Sequence, residues 1–313
     1  MSSLGAVPDA VGAVGHRVVH GGDRFREPVV IDDEVYAAIR ALESIAPLHN
    51  APARRGIDEA RRALPDVPHA AVFDTAFHAP IPEVAATYAV PRRWREELGV
   101  RRYGFHGLSV QWAAEQVRVP RLVVCHLGGG CSITAVLDGR SVDTTMGFTP
   151  LEGVPMATRS GSVGPGALLH VLRRGLSADE LDDALEHESG LLGLSEMSRD
   201  VDELERAATP GARLALDLYA YRIACAVAGM TVALGGLDAV VFTAGVGEHS
   251  SAVRAAVCKR LRHLGVELDP AANASAGPDA EIGAAASTAR IVVVHAREDV
   301  VIARAVRALL DRS

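Results

Sequence analysis

Three apolar, β-branched segments each run straight into a glycine-rich turn, and this arrangement limits the folds open to the chain. The segments are residues 10–20, 122–125 and 239–243, and the turns after them are Gly21-Gly22, His126–Gly130 and Ala244–Glu248. Helical spacing of apolar residues fills the intervals between them. Strands that alternate with helices predict an α/β fold in which ligands bind beyond the strand ends. The spacings match neither G-x-G-x-x-G nor the P-loop, so we expect neither a dinucleotide fold nor a P-loop site.

The second of these segments continues as a predicted meander of three strands. Leu122 to Cys125 and Ser132 to Leu137 would form the first two strands around the turn 126–130. Asp138-Gly139 is a two-residue hairpin signal that precedes a third strand from Ser141 to Thr145. Glycines without Cβ atoms let backbone amides approach an anion closely, so the turn 126–130 is a candidate phosphate cradle. A plain hairpin turn is the alternative explanation of the same residues.

The remaining elements follow from apolar spacing and turn residues. We expect a helix over 32–45 capped by Asp32, a break at Pro47–Asn50, a helix over 53–64, a strand over 69–74, helices over 109–117, 165–174, 178–187, 200–208, 211–235 and 250–264, a strand over 291–294 and a last helix from 298. Residues 149–166 form a Gly/Pro/Ser/Thr segment without apolar periodicity. Loops of that length in a compact domain are usually functional.

Composition limits the partners and the location of the chain. Its 313 residues carry a formal net charge of −7 and no Lys/Arg run beyond a solvated helix face, which argues against nucleic acid. The four cysteines show no C-x-x-C spacing, and Cys125, Cys131 and Cys225 lie in apolar runs, so we expect these three to be buried thiols in a reducing cytoplasm. No signal peptide opens the sequence, and the longest uncharged apolar stretch, residues 223–237, is too short to span a bilayer. We therefore expect a cytoplasmic protein without a membrane partner.

Six polar side chains stand in otherwise apolar or glycine-rich segments: Arg17, His49, Asp74, His106, Arg159 and Glu298. Arg159 is the only cation in the segment 149–166, which favours an anion ligand over a surface charge. The others also have structural explanations. Arg17 suits a sheet edge or an interface, the two histidines suit structural hydrogen bonds, Asp74 suits a cap, and Glu298 suits a helix N-terminus.

Together these residues indicate phosphoryl transfer rather than acyl hydrolysis. Two arginines, two histidines, two carboxylates and two glycine turns suit a polyanion with a divalent metal. The G-x-S-x-G elbow of hydrolases does not occur in the sequence. A carboxylate acceptor is already ionised at neutral pH, so such a transfer would need no general base.

Eight segments in order along the chain carry a resemblance to a known family. They are GHRVVHGG (15–22), APLHN (46–50), VFDTAFH (72–78), RYGFHG (102–107), CHLGGG (125–130), SVDTTMGFTPLEG (141–153), ATRSG (157–161) and VFTAGVGE (241–248). The chain resembles the acetate/propionate kinase family within the acetate-and-sugar-kinase/actin superfamily. The resemblance implies a two-lobed, ribonuclease-H-like α/β fold. It also implies a reversible phosphoryl transfer, with Mg²⁺, from ATP to a short-chain carboxylate such as acetate or propionate.

The resemblance implies roles for individual residues. Arg17 and Arg159 would hold the carboxylate and the transferring phosphoryl group, and Asp74 would orient an arginine. His106 would stabilise the transition state, with His49 assisting nearby.

The metal, the acid's methyl end and the nucleotide would have their own contacts. Glu298 would hold Mg²⁺. The methyl end would lie in an apolar pocket of Val19, Leu48, Phe105 and Pro150. The nucleotide would contact the two glycine turns and an adenosine edge: His126, Leu127, Gly128, Gly129, Gly130, Gly245, Val246, Gly247, Glu248, His249, Asp200, Val201 and Asp202.

The implied lobes are residues 1–76 with 298–313 on the acid-binding side, and residues 77–297 on the nucleotide-binding side. We expect the first lobe to be incomplete. The family's opening strand and turn, with an Asn, several Ser and a Lys that contact Mg²⁺ and phosphates, have no counterpart before residue 15. The strand at 11–19 would then be short of sheet partners and prone to aggregate.

Several positions depart from the family pattern: Val110 for a His, Gly129 for an Asn, Ser162 and Gly164 for two Asp, Val201 and Asp202 for Phe and Arg, and Arg297 for an Asn. The changes at the adenosine edge predict altered nucleotide affinity or base preference.

Two other functions stay open at this point. A catalytically impaired relative would bind nucleotide or acyl phosphate without turnover, which the missing opening segment favours. A superfamily kinase for a sugar hydroxyl would need a carboxylate base near the acceptor, and the apolar pocket beside Arg17 argues against it. The resemblance also suggests a homodimer, with the helix 211–235 either at the interface or in the core.

Overall fold

The computed structural model describes residues 11–44, 47–207 and 209–312, with the side chains of residues 44 and 47–49 outside the description. The chain divides into two compact units. Unit 1 comprises Met1–Ala79, Phe105–Trp112 and Arg297–Ser313, and unit 2 comprises Pro80–Gly104 and Ala113–Ala296.

The elements alternate between strands and helices along the chain. The strands are β1 Val14–Val18, β2 Val29–Val30, β3 His69–Phe73, β4 Arg121–Leu127, β5 Cys131–Leu137, β6 Arg140–Thr144, β7 Ala239–Thr243 and β8 Arg290–Val293. The helices are α1 Asp33–Ala41, α2 Pro47–Ala63, α3 Glu83–Ala86, α4 Arg92–Glu97, α5 Gly107–Gln116, α6 Pro165–Arg173, α7 Ala178–His187, α8 Gly190–Ser195, α9 Val201–Ala207, α10 Pro210–Leu234, α11 Ala244–His249, α12 Ser251–Arg260, α13 Pro270–Ala274 and α14 Glu298–Leu310.

Unit 1 is built on a three-stranded sheet in the order β1-β3-β2, in which β1 and β3 are parallel and β2 is antiparallel. Successive residues of β3 point to opposite faces. Ala71 and Phe73 join a core cluster with residues of α1 and α2, whereas Ala70 and Val72 pack with residues of α14. The central strand is therefore buried on both faces between two helical layers.

The compact units differ from the expected lobes at residues 77–79, 105–112 and 297, which fall in unit 1. In the segment 105–112, Leu108 packs with Ala70, Val72 and the α14 residues Val301 and Val306. A contact between segments so far apart in sequence leaves no local signal. The assignment of the lobes to acid and nucleotide binding stays a prediction.

The structure confirms one helix start in unit 1 and corrects another. Asp32 caps α1, and its Oδ1 accepts a hydrogen bond of 2.7 Å from the Val35 amide. The predicted break at Pro47–Asn50 is wrong, because these residues form the first turn of α2. Proline is well tolerated there, since the first helical N–H has no intrahelical partner.

Unit 2 is built on a five-stranded sheet in the order β6-β5-β4-β7-β8. The pairs β4–β5 and β5–β6 are antiparallel, and β4, β7 and β8 are parallel. The predicted hairpin at Asp138-Gly139 is confirmed, with φ of +48° and +77°, as a type I′ turn requires. Strand β4 extends to Leu127, so the glycine turn is reduced to residues 128–130.

Helix α10 is the central helix of unit 2. It packs against β4 and β5 and buries Tyr219, Ile223 and Val227, among others. Within the described part of the chain, it is the one helix long and apolar enough to cross a membrane. Its contacts with the sheet account for the apolar residues on its inner side.

Two glycine-containing segments of unit 2 are helical where the sequence indicated otherwise. Helix α8 was not predicted, and the predicted turn after β7 is the short helix α11. Arg254 of α12 holds α11 in place by donating to the carbonyls of Gly247 and Glu248 at 2.9 and 2.8 Å. Tertiary hydrogen bonds thus override the low helix propensity of glycine.

Candidate functional site

Three charged side chains meet at one end of the unit 1 sheet. Arg17 on β1 forms a two-pronged ion pair with Asp74, which directly follows β3; its Nε donates to Asp74 Oδ1 at 3.1 Å and its Nη2 donates to Oδ2. The Nε also lies 3.3 Å from Oε2 of Glu298, the first residue of α14. Parallel pairing of β1 with β3 brings Arg17 and Asp74 together, and the packing of α14 adds the second carboxylate.

Burial sets the protonation behaviour of this group. It raises the pKa of the fully buried Asp74 carboxyl, while Arg17 opposes the rise. It also raises the pKa of Glu298, which is again opposed by Arg17. Burial alone would lower the pKa of the Arg17 guanidinium, but Asp74 and Glu298 outweigh it and the pKa rises. The guanidinium therefore stays charged, and it stabilises the ionised forms of the two carboxylates beside it.

Part of the Arg17 guanidinium remains available to a ligand. Its side chain is 39% exposed, and among the described residues its Nη1 makes no hydrogen bond. Asp74 fixes the direction of the fork, because two parallel N–H···O bonds allow only one relative orientation. The exposed edge of a fixed guanidinium is a typical carboxylate or phosphate ligand.

His106 lies in unit 1 at the start of α5, in a strained backbone conformation. Its φ is +60°, in the left-handed region that residues with a Cβ rarely adopt. The Gly107 amide donates to the Asp74 carbonyl at 3.0 Å, and a Cβ on Gly107 would lie 2.1 Å from that oxygen. The same residue, Asp74, therefore anchors Arg17 through its side chain and His106 through its backbone.

The residues predicted for the acid pocket belong to both units. In unit 1, Val19 is half-buried, and Phe105 is 1% exposed with its ring 5.4 Å from that of His20. Pro150 is a buried residue of unit 2. The side chains of Leu48 and His49 lie outside the described residues.

Asn50 is a residue that the sequence reasoning missed. It is fully buried, and its amide group both accepts from the His20 amide at 3.0 Å and donates to the His20 carbonyl at 3.1 Å. It fixes the segment that follows β1 and carries Val19. A polar residue next to His49 in a conspicuous motif was the available signal.

In unit 2 the two predicted nucleotide segments lie side by side. They follow β4 and β7, which are neighbouring parallel strands, and His126 pairs in register with Thr243. A Cβ on Gly128 would lie 3.6 Å from the Cβ of Ala244, so these segments are in contact. Between them they carry the predicted residues from His126 to Gly130 and from Gly245 to His249. Ends of parallel strands at which two loops meet are common ligand sites in α/β sheets.

The Arg159 loop is hydrogen-bonded to the first of these segments. The Ala157 amide donates to the Gly129 carbonyl at 3.3 Å. Arg159 itself forms an ion pair, at 2.8 Å from Nε to Oε2, with the buried Glu186 of α7. The sequence reasoning missed Glu186, because one acidic residue in an acidic helix gives no signal of its own.

Glu248 has a structural part in addition to any ligand contact. Its carboxylate lies 2.6 Å from His295 Nδ1 and accepts a hydrogen bond of 3.0 Å from the Ala296 amide, both just beyond β8. Its side chain is only 9% exposed. The exposed residues of α11 are Gly245 and His249, so these two are its more accessible positions.

The predicted adenosine edge is the start of helix α9. Asp200 precedes the helix, and its Oδ1 accepts from the Glu203 amide at 3.2 Å, as a helix cap does. Val201 is buried and Asp202 is exposed. A hydrogen bond of 2.6 Å between Ser250 Oγ and Glu205 Oε1 ties α9 to the end of α11. The adenosine-edge residues therefore lie close to the second glycine segment.

A polar network in unit 2 fixes the loop that carries Pro150. Arg102 donates to the Thr145 and Met146 carbonyls at 2.9 and 3.1 Å and to Glu152 Oε1 at 2.9 Å. The Tyr88 hydroxyl donates to the other oxygen of Glu152. The Phe148 amide in turn donates to that hydroxyl at 2.9 Å. The sequence reasoning missed this network, whose members lie far apart along the chain.

The fit of a metal ion depends on Glu298. Within the described residues, no group of three or more His, Cys, Asp or Glu side chains could hold one. Glu298 offers one partly exposed carboxylate with a raised pKa. Mg²⁺ commonly binds through one or two carboxylates, with substrate phosphates and water completing its shell, so Glu298 fits a Mg²⁺–nucleotide but not a protein-only site.

Two α/β units with charged groups and glycine segments at their strand ends define the actin/sugar-kinase-like fold, and solved structures share it. A propionate kinase from Francisella tularensis subsp. tularensis SCHU S4 superposes with a TM-score of 0.89 at 37% identity, over 94% of this chain and 78% of that one. An acetate kinase from Entamoeba histolytica superposes with a TM-score of 0.90 at 32% identity, over 96% of this chain and 82% of that one.

The sequence matches the Acetokinase family over residues 4–304, and the chain belongs to that family. It is 51% identical over 326 residues to an acetate kinase of Deinococcus deserti, covering 99% of this chain and 81% of the relative. It is 46% identical over 314 residues to an acetate kinase of Trichormus variabilis, covering 96% of this chain and 77% of the relative. The family and fold class predicted from the motifs are confirmed. The expectation about the segment before residue 15 stays a prediction, because residues 1–10 lie outside the description.

Proposed function

We propose that this chain transfers the γ-phosphoryl group of ATP to a short-chain carboxylate, acetate or propionate, to give an acyl phosphate and ADP, and that it catalyses the reverse reaction. The observation that carries the proposal is the Arg17 guanidinium, fixed by buried Asp74 and partly exposed. It is an anion ligand of defined direction at a strand end. Membership of the Acetokinase family supports the same reaction.

The chemistry requires orientation and charge compensation more than proton transfer. A carboxylate oxygen attacks the γ-phosphorus while the bond to the ADP oxygen breaks, and no proton needs to move because a carboxylic acid is ionised at neutral pH. Negative charge spreads over the equatorial oxygens in the transition state. Arg17, Arg159 and His106 are the groups that we assign to these anions, and preorganised donors of this kind supply most of such a rate enhancement.

We assign the nucleotide phosphates to the glycine segments after β4 and β7. Apart from its chain neighbours, Gly129 has no atom within 4 Å of the position of a Cβ, so its backbone is open to close approach, whereas the Gly128 amide donates to the Gly130 carbonyl at 3.0 Å. The adenosine would lie toward residues 200–202, where Asp202 is exposed. Because position 201 is a valine, and a buried one, the base would meet the start of helix α9 without an aromatic partner from that position.

We assign Mg²⁺ to Glu298, with the nucleotide phosphates as its other ligands. The ion would supply charge neutralisation to the phosphates. Glu298 is held near Arg17, so the carboxylate that would receive the metal is already oriented in the protein alone.

A direct assay tests the reaction. The purified chain is incubated with ATP, Mg²⁺ and one of acetate, propionate, butyrate or glycerol, and hydroxylamine traps any acyl phosphate as a hydroxamate. We expect hydroxamate with acetate and propionate, and none with glycerol. ATP consumption in a reaction that contains glycerol and no carboxylic acid would indicate the sugar-hydroxyl alternative. ATP binding by calorimetry without any turnover would indicate the catalytically impaired alternative.

Two substitutions test the assigned arginines. Arg17→Ala and Arg159→Ala should each reduce kcat by far more than about tenfold, which corresponds to about 1.4 kcal/mol of transition-state stabilisation. Arg24→Ala is the matched control, since Arg24 pairs with Glu34 on the exposed surface of unit 1. A kcat within about tenfold of the parent for both variants would show that the assigned roles are wrong.

We also propose that the chain is a cytoplasmic homodimer that pairs through the outer face of α10. Besides the side that packs on the sheet, this helix exposes Leu214, Tyr221, Cys225 and Val232, the last with 84% of its surface accessible. These positions recur at helical spacing along one stripe. A second copy of the chain would cover the stripe. If the parent sediments as a dimer and Tyr221→Glu sediments as a monomer, the proposal is supported. An unchanged dimer would place the interface elsewhere.

A further inference from the structure

The peptide segment that carries His106 is held from both sides. On one side the Gly107 amide donates to the Asp74 carbonyl at 3.0 Å. On the other side the Phe105 carbonyl accepts a hydrogen bond of 2.9 Å from Nε2 of His78. Between these two anchors the backbone of His106 takes its φ of +60°. A non-glycine residue persists in that conformation only where the surrounding structure imposes it.

His78 is suited to hold this carbonyl permanently. Its side chain is 2% exposed, at the end of the short 3₁₀ turn Ala76–His78, which begins two residues after Asp74. Burial lowers the pKa of His78 to about 4, so the imidazole is neutral at pH 7. A carbonyl can only accept, so Nε2 must carry the proton in this hydrogen bond.

One short segment therefore supplies anchors for both Arg17 and the His106 segment. Asp74 binds Arg17 with its side chain and Gly107 with its carbonyl, and His78 binds Phe105. The sequence VFDTAFH joins these anchors within five residues, so their relative positions are fixed by one turn. Displacement of His78 would free the Phe105 carbonyl and, with it, the direction of the His106 side chain.

We propose that His78 is a positioning residue for His106: it sets the orientation of the catalytic imidazole by holding the Phe105 carbonyl. This inference rests on the proposed function, because it concerns the group assigned to the transferring phosphoryl. His78 does not touch the substrate. It acts through the backbone of the two residues that precede Gly107.

Two substitutions at His78 and one control separate positioning from stability. His78→Met fills the cavity but donates no hydrogen bond, whereas His78→Gln keeps an N–H donor near the position of Nε2. The control is His69→Met, since His69 is also buried in unit 1 and its Nε2 also bonds a carbonyl, that of Leu64, at 3.0 Å. His69 has no contact of this kind with the His106 segment.

We expect His78→Met to lower kcat by about tenfold or more, with the KM for ATP and for the acid changed by less than about threefold, because misplacement of a reacting group affects the transition state most. His78→Gln should restore most of the kcat. His69→Met should lose comparable stability in urea and keep its kcat within about twofold of the parent. Equal kcat values for His78→Met and His69→Met would overturn the proposal.

Hydrogen exchange gives a readout that needs no turnover. If His78 holds the segment, the Gly107 amide should exchange at least about tenfold faster in His78→Met than in the parent, and at the parental rate in His69→Met. Unchanged protection of Gly107 in His78→Met overturns the proposal even in an inactive chain. A parent without acyl phosphate formation would contradict the proposed function, and the exchange data would still decide the role of His78.

Discussion

The ion pair at the end of the unit 1 sheet makes a quantitative prediction for Arg17→Met. The substitution leaves the Asp74 carboxylate, of which only 1% is exposed, without the guanidinium that compensates it. Removing one partner of a buried pair costs about 3–5 kcal/mol. Because 39% of the Arg17 side chain is exposed, water already screens part of this interaction. We therefore expect a smaller loss, about 2–3 kcal/mol, in the free energy of unfolding.

The pH dependence of the loss distinguishes a stranded carboxylate from simple loss of packing. Burial holds the folded-state pKa of Asp74 above its ordinary value, and without Arg17 nothing opposes that rise. A carboxyl whose folded-state pKa is raised binds its proton more tightly in the folded state. The variant should therefore recover stability relative to the parent as the pH falls through the raised folded-state pKa toward the ordinary pKa of a carboxyl.

The assay is urea unfolding followed by circular dichroism, at pH 7.5 and at pH 5, on the parent, Arg17→Met and Arg24→Met. Arg24 pairs with Glu34 where both side chains are more than half exposed, so its removal should change the free energy of unfolding by less than about 1 kcal/mol at either pH. A loss for Arg17→Met below about 1 kcal/mol, or a loss equal at both pH values, would refute the electrostatic account.

Three further predictions concern other contacts. Glu186→Ala should lower the free energy of unfolding by about 2–3 kcal/mol and should lower kcat, because it leaves Arg159 without its buried partner. The control Glu188→Ala, at an exposed neighbouring position, should change neither quantity in urea unfolding and steady-state assays. Tyr88→Phe removes the hydroxyl that bonds Glu152 and Phe148, so the KM for the acid should rise while the KM for ATP stays constant; proportional changes in both KM values would contradict a local effect. Burial, together with His69 and Arg61, lowers the pKa of His16 from 6.5 to about 4. The free energy of unfolding should therefore fall by about 3 kcal/mol as the pH drops from 6.5 to about 4. His16→Leu should flatten the dependence of the unfolding free energy on pH in this interval.

Most of the local structure could be predicted from the sequence, because it depends on interactions between residues that are close along the chain. The I′ turn at Asp138-Gly139, the cap at Asp32 and the strands that end in glycine turns all follow from a few adjacent residues. Helix α11 shows the limit. Its glycines predict a turn, but the Arg254 side chain of the next helix bonds the Gly247 and Glu248 carbonyls, and β4 and β7 pack against the helix.

The same limit applies to the candidate site. Arg17, Asp74 and Glu298 could be singled out one by one, but their meeting depends on strand pairing and on the packing of α14. Glu186 could not be found from the sequence, and nothing in the VFDTAFH segment showed that its last residue, His78, holds another residue in place. Residues that contact a ligand stand in recognisable sequence motifs, whereas the residues that support them can be identified only from interatomic distances in the structure.

The discontinuous make-up of unit 1 has a consequence for the order in which the protein folds as it is synthesised. The sheet residues Ala70 and Val72 are covered by Val301 and Val306, which leave the ribosome about 230 residues later. At about 5–20 residues per second, that face stays uncovered for about 12–46 seconds. Strand β4 likewise waits for β7 across about 110 residues. Covering of the unit 1 sheet and completion of the unit 2 sheet thus both depend on the C-terminal part of the chain, and ribosome-bound intermediates should be strong chaperone substrates.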